Sequence, residues 1–187
     1  MSDSSLLTAI AEGDRVLLDT TVLAAYLDRT DATHPVARHI LDDLVATGRN
    51  PAVVAMVTVM EILVRPLRAT PPGHHTVLAF LRTHPNLTCV PVDLQVAQEA
   101  AHLRADKKLA PPDALIVGTG LATQVRHLVT NDRDCTRRLA SMSSRIAVVQ
   151  TSSHRPFPKG RDQDVVSGRV GPTKELAVRP LVAIRDG

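Results

Sequence analysis

The sequence predicts an α/β protein, a three-layer α/β/α sandwich with a central, mostly parallel five-stranded sheet. Three observations lead there. Between residues 15 and 150, short apolar runs alternate with stretches of helical periodicity. The runs are apolar throughout rather than at every second position, as strands covered on both faces must be. Nothing in the chain repeats, and no apolar run approaches the ~20 residues needed to span a membrane.

The elements follow in order. RVLLD (15–19) is a short apolar strand that ends on an acid, and a helix begins near Thr21. PVARHILDDLVATG (35–48) has apolar residues at 36, 37, 40, 41, 44 and 45, a single helical stripe, with Gly48 placed to end it. AVVAMVT (52–58) reads as a second buried strand, and TVMEILVRPL (58–67) as a helix with Pro66 near its end. HHTVLAFLRTH (74–84) is a further helix. LTCVPV (87–92) is a third strand, whose Pro91 points to a sheet edge or a strand end. DLQVAQEAAHLRADKK (93–108) is a helix with Asp93 as its N-cap. PPDALIVGTGLATQV (111–125) is a helix opened by proline. HLVT (127–130), DRDCTRRLASM (132–142) and IAVVQ (146–150) complete the series as strand, helix and strand. On this reading residues 1–14 are an N-terminal extension, 15–150 the folded domain and 151–187 a basic tail, flexible or docking. The tail is rich in Ser, Pro, Gly and charge until the more apolar LAVRPLVAI (176–184).

Composition narrows the function classes. Aromatic residues make up 2% of the chain, which argues against a surface that stacks single-stranded bases on aromatic platforms. Two cysteines, Cys89 and Cys135, form neither a disulfide framework nor a metal-ligand spacing. The acidic start, with only a short apolar stretch, does not resemble a signal peptide. A soluble, cytoplasmic protein is the expectation. Residues 1–150 hold 15 basic and 15 acidic side chains, whereas 151–187 hold 7 and 4, so the whole +3 excess lies in the tail. An excess of that size permits a nucleic-acid partner without requiring one.

Four acids draw attention. Asp19 and Asp132 each follow an apolar strand, where capping the next helix is an ordinary role. Asp113 stands in the first turn of a helix, facing the positive end of its dipole. Glu61 sits among Val57, Met60, Ile62, Leu63 and Val64, where a lone carboxylate is costly; pairing with Arg65 one turn on would satisfy it. Together the four admit another reading. In a parallel sheet, ligands sit beyond the carboxyl ends of the strands, and all four acids can meet there. Clustered carboxylates repel one another and invite a divalent cation. Mg²⁺, or Mn²⁺, takes oxygen ligands and retains waters, and such a centre suits phosphodiester hydrolysis.

At this point four blocks, LLDTTVL (17–23), TVMEIL (58–63), LAPPDALIVGTGL (109–121) and LVTNDRD (128–134), resemble the signature blocks of PIN-domain ribonucleases, most of all the VapC-type toxins of toxin–antitoxin pairs. The resemblance covers about residues 15–150. It implies a PIN-like fold and a Mg²⁺-dependent endoribonuclease, with Asp19 and Asp113 tied most directly to the metal and Glu61 and Asp132 completing the cluster directly or through water. It gives Thr130 the role of orienting water or phosphate and makes Asp134 a further candidate acid, although solvation or helix capping suits Asp134 equally. It also implies an RNA substrate, a small antitoxin partner that blocks the cleft, and a homodimer. The chain departs from the family pattern at Cys135, where an aromatic is common, and at Gly118 and Gly120, where alanines are usual. None of these changes removes an acid. A toxin, another RNA-processing nuclease and a catalytically silent binding scaffold all remain open.

Other arrangements carry less. His74 and His75 are adjacent on a helix and do not face one site. Arg133, Arg137 and Arg138 suit a phosphate track beside Asp132 or a solvated helix face. A phosphatase built on Asp19 would want a second Asp where Thr21 stands. A receiver module would want adjacent acids and a late Lys that the chain lacks. No phosphate-cradling glycine loop is present.

Overall fold

The computed structural model describes residues 9–142 and 145–151. Five strands form one sheet: β1 (Val16–Leu18), β2 (Ala52–Ala55), β3 (Leu87–Val90), β4 (His127–Thr130) and β5 (Ala147–Gln150), in the order β3-β2-β1-β4-β5. All four pairings are parallel, with Val16 opposite both Ala52 and His127. The predicted sheet is therefore present, parallel throughout. β3 is an edge strand and ends one residue before Pro91, because proline cannot extend the ladder.

Alternate residues of the strands feed two separate cores. Val16, Leu18, Val54 and Val129 pack on one face, under α1 (Thr20–Leu27), α2 (His34–Arg38), α3 (Met56–Arg68) and α4 (His74–Thr83). Leu17, Val53, Ala55 and Leu128 pack on the other, under α5 (Leu94–Lys107), α6 (Pro111–Ala122) and α7 (Arg133–Leu139). Burial of both faces is why the central strands β1 and β2 are apolar at every position. A wide helical turn, His39–Val45, continues α2, with Ala46 N–H donating to Leu41 O at 2.9 Å. Gly48, at φ +81°, turns the chain out of it, a conformation that costs a Cβ-bearing residue energy.

Local chemistry sets the helix ends. The Asp93 carboxylate accepts from Val96 N–H at 2.8 Å and caps α5, as the sequence predicts. Lys108, left-handed at φ 54°, ends that helix. The apolar run after Ala52 behaves differently from expectation: the strand stops at Ala55 and α3 begins at Met56, two residues earlier than predicted. A β-branched run too short to show its period leaves that boundary ambiguous.

Gly118 and Gly120 have a packing reason. A Cβ at Gly118 would stand 3.0 Å from Val96 O and 3.0 Å from Ala100 N, so the glycine lets α5 lie directly on α6. A Cβ at Gly120 would meet Leu17 Cδ2 at 2.8 Å.

Residues before β1 are part of the packing. Ile10 is fully buried in the core. The buried Asn50 side chain donates to Ala11 O at 2.7 Å and Asp14 O at 2.9 Å, tying this segment to the start of β2. The tail assigned to 151–187 lies outside the described residues apart from Thr151, whose N–H donates to Thr130 O at 3.0 Å.

Candidate active site

The strand order reverses between β1 and β4, since the chain runs outward from β1 to β2 and β3 and then returns to place β4 on its other side. A crevice opens at the carboxyl end of such a switch point. Asp19 follows β1 directly, and Asn131 and Asp132 follow β4.

Two threonines join these turns. The Thr130 hydroxyl, wholly buried, donates to Asp19 Oδ2 at 2.6 Å and accepts from Asp132 N–H at 2.9 Å. The Thr21 hydroxyl donates to the same Asp19 oxygen at 3.0 Å and accepts from Asn131 N–H at 2.9 Å. Each hydroxyl thus spends its proton on Asp19 and its lone pair on the neighbouring turn, which fixes the carboxylate's position. The predicted role of Asp132 as a cap is also real: its Oδ1 accepts from Asp134 N–H at 2.8 Å and Cys135 N–H at 3.2 Å. Asp19 occupies the cap position of α1, but its side chain makes no capping bond to that helix's second or third N–H.

Asp19, Asp113 and Asp132 line one small pocket, walled by Ile116, Val117, Leu128 and Cys135. Asp113 arrives from the first turn of α6, where Pro111 and Pro112 open the helix and aim its start at the crevice. The pocket leaves about 10 Å³ for the centre of a water-sized body, room for about one water or small ion. No lysine or arginine is among its lining residues. Burial pushes the Asp19 carboxyl above its ordinary value of 3.8; bonds from Thr130, Thr21 and the Thr20 N–H pull it down, and nearby Asp132 pushes it up again.

Glu61 is placed differently. It leaves α3 half-buried and is not among the pocket's lining residues; its Oε2 accepts from the Thr20 hydroxyl, next to Asp19. Thr58, fully buried, stands 3.4 Å from that hydroxyl. Arg65, the expected partner of Glu61, pairs with Asp28 at 3.3 Å. Asp134 is exposed and pairs with Arg137 at 2.8 Å, the surface role already open to it. Arg133 and Arg138 are likewise exposed. The positioning hydroxyls of Thr20 and Thr21 were overlooked as site residues, although the DTT run after β1 was their signal.

Does this donor set fit a divalent cation? Among the described residues no group of three or more His, Cys, Asp or Glu side chains is closed tightly enough to hold an ion by itself. Three carboxylates around one small pocket nevertheless suit a hard cation held by one or two of them and by waters, the usual manner of Mg²⁺. The raised Asp19 carboxyl agrees, since a cation would relieve both its burial and its repulsion from Asp132.

Comparison with known families finds a match to the PIN domain over residues 16–141. Comparison with curated proteins finds no significant match. Among solved structures, the chain is similar to a toxin–antitoxin complex from Klebsiella pneumoniae, with TM-score 0.55 and 20% identity over 75% of this chain and 99% of that one. It is similar to FitAcB from Neisseria gonorrhoeae, with TM-score 0.56 and 21% identity over 73% and 97%. It also resembles VapC20 from Mycobacterium tuberculosis, a toxin that cleaves the sarcin–ricin loop, with TM-score 0.54 and 15% identity over 71% and 98%.

Proposed function

The chain belongs to the PIN-domain family, and on that premise we propose that it is a Mg²⁺-dependent endoribonuclease and the toxin of a toxin–antitoxin pair. One observation carries the nuclease reading: Asp19, Asp113 and Asp132, far apart in sequence, line a single pocket at the switch point. The toxin assignment and the antitoxin partner draw support from the solved relatives, which include toxin–antitoxin complexes.

A divalent cation, when bound at this pocket, would supply positive charge for the scissile phosphate and would lower the pKa of water. Asp19 and Asp113 would hold it, with Asp132 and, through Thr20, Glu61 acting at longer range. The chain's own part is preorganisation. Thr130 and Thr21 hold one Asp19 oxygen in place, which leaves the other oriented without further ordering. Thr130 is therefore a positioning residue. Ile116, Val117 and Leu128 keep the floor apolar, which strengthens electrostatic attraction at the pocket.

The homodimer needs an apolar face. Met56, Met60, Val64 and Leu67 are exposed along one side of α3, at a helical spacing that makes a continuous stripe. No helix among the described residues is long and apolar enough to cross a membrane.

The test incubates the full chain with structured RNA and Mg²⁺, with and without chelator, beside Asp19→Asn. Cleavage that chelator abolishes and the variant lacks is the expected result. Cleavage that survives chelator, or full activity in the variant, overturns the mechanism. RNA left intact while Mg²⁺ still raises the melting temperature favours a silent PIN scaffold.

A further inference from the structure

The end of the sheet opposite the acids holds a second cavity of contrasting chemistry. It has a volume of about 600 Å³ and is lined by Asp14, Gln124, Arg126, His127 and Arg145 over an apolar floor that includes Ile146. That volume is in the range of small-molecule sites. Its basic groups come from a regularity of the sheet. Arg15 immediately precedes β1, Arg126 immediately precedes β4, and Arg145 stands two residues before β5. Val16 is in register with His127, and His127 with Ala147, so these arginines stand at the amino ends of three adjacent strands. Neighbouring strands lie only ~4.8 Å apart.

Existing pairings leave donors available. Asp14 is shared: one oxygen is 2.9 Å from His127 Nε2, the other 3.7 Å from Arg126 Nε. The Arg126 side chain remains 77% exposed, so that contact holds it loosely. Arg145 pairs with Glu99 at 3.0 Å but is 51% exposed. Arg15 is exposed, with no ion-pair partner among the described residues. Within the cavity two guanidinium groups, Arg126 and Arg145, thus stand against one carboxylate, Asp14. His127 lines the same cavity, with its Nε2 turned toward Asp14.

We propose that this cavity binds a phosphate group carried on a nucleotide unit, with Arg126 and Arg145 as its donors, His127 as a further contact and the apolar floor beneath the sugar or base. Planar guanidinium forks match phosphate oxygens in pairs. Phosphate chemistry reaches such a site as a free nucleotide or as the backbone of RNA. The inference is independent of the acid pocket, and its test needs no metal.

The experiment measures binding in chelator, using the full chain and the double variant Arg126→Ala/Arg145→Ala. The probes are fluorescein-labelled single-stranded RNA by anisotropy and AMP by calorimetry, with the His127 Nδ1 resonance followed by NMR. Both guanidiniums are largely exposed, so the variant folds, and an unchanged melting temperature verifies this. Arg126→Gln alone supplies an intermediate point. The double variant should bind about tenfold more weakly. Its slope of log affinity against log salt should fall by about 1.4 in RNA binding, at ~0.7 per lost contact. Competition by AMP with a shift of the His127 resonance assigns the site to free nucleotide. RNA binding that weakens in the variant without AMP competition assigns it to backbone. Both results support a phosphate site. Unchanged RNA and AMP binding in the double variant, no binding of either by the wild type, or equal competition by poly-glutamate overturns it.

Discussion

At the scale of single residues, Asp19 is the most informative. Its carboxyl is raised by burial and by Asp132, against three hydrogen bonds that favour the charged form. The folded protein therefore keeps this proton to a higher pH than the unfolded chain does. The resulting contribution to stability is complete below the ordinary value of 3.8 and is lost as pH rises through the raised folded value. In chelator, the wild type should lose stability across that window, whereas Asp19→Asn lacks this component and melts higher at neutral pH. Thermal melts of both proteins from acid to neutral pH check this, and identical profiles would contradict it. Singly, each acid at a strand end reads as a helix cap; what was legible in the sequence was that four carboxylates could meet at one edge of the sheet. Glu61 was legible as anomalous but not in its position. Which way a helical residue points depends on where the helix begins, and α3 begins two residues earlier than the sequence suggested.

At the scale of elements, the two glycines of α6 show how a local rule is overridden. By propensity alone, Gly118→Ala should strengthen the helix by about 1 kcal/mol. The wall it would meet is backbone of α5 at 3.0 Å, which cannot swing aside. Overpacking of this kind costs roughly 1–3 kcal/mol. Gly118→Ala is therefore expected to be net destabilising and to lower the melting temperature by a few degrees. A melt at or above the wild-type value would show that α5 shifts freely. The sequence identified the helix and its proline start, but the close approach of α5 depends on a partner element and has no local signature. The wide turn at His39–Val45 is similar: its apolar stripe was visible, its altered hydrogen-bond register was not.

At the scale of the whole molecule, five strands and the layers around them were readable because parallel strands buried on both faces leave an unmistakable apolar rhythm. The strand order was not, since pairing partners are chosen by crossovers rather than by composition. It is that order which brings Asp19 beside Asp132 and sets the arginines of the opposite end side by side. The apolar stripe of α3 belongs to this scale too. Met60 and Leu67, 57% and 53% exposed, are large apolar side chains with no cover among the described residues. If a second copy covers them, Met60→Lys with Leu67→Lys converts a dimer to a monomer in sedimentation velocity while the melting profile stays cooperative. A monomeric wild type at the same concentration would rule out the dimer.

The clasp between Asn50 and the segment before β1 bears on how the domain can be trimmed. A fragment cut to the family match, residues 16–141, would discard Ile10 and the carbonyls of Ala11 and Asp14. Losing the isoleucine forfeits about 1.5–3 kcal/mol of burial, and stranding the amide of Asn50 about 1–3 more. The same cut removes β5 and lays bare the outer edge of β4, a template for stray strand addition. Such a fragment should aggregate or melt without cooperativity in circular dichroism, whereas one running from residue 9 to 151 should behave as an autonomous unit. The boundaries of recognition are thus narrower than the boundaries of folding.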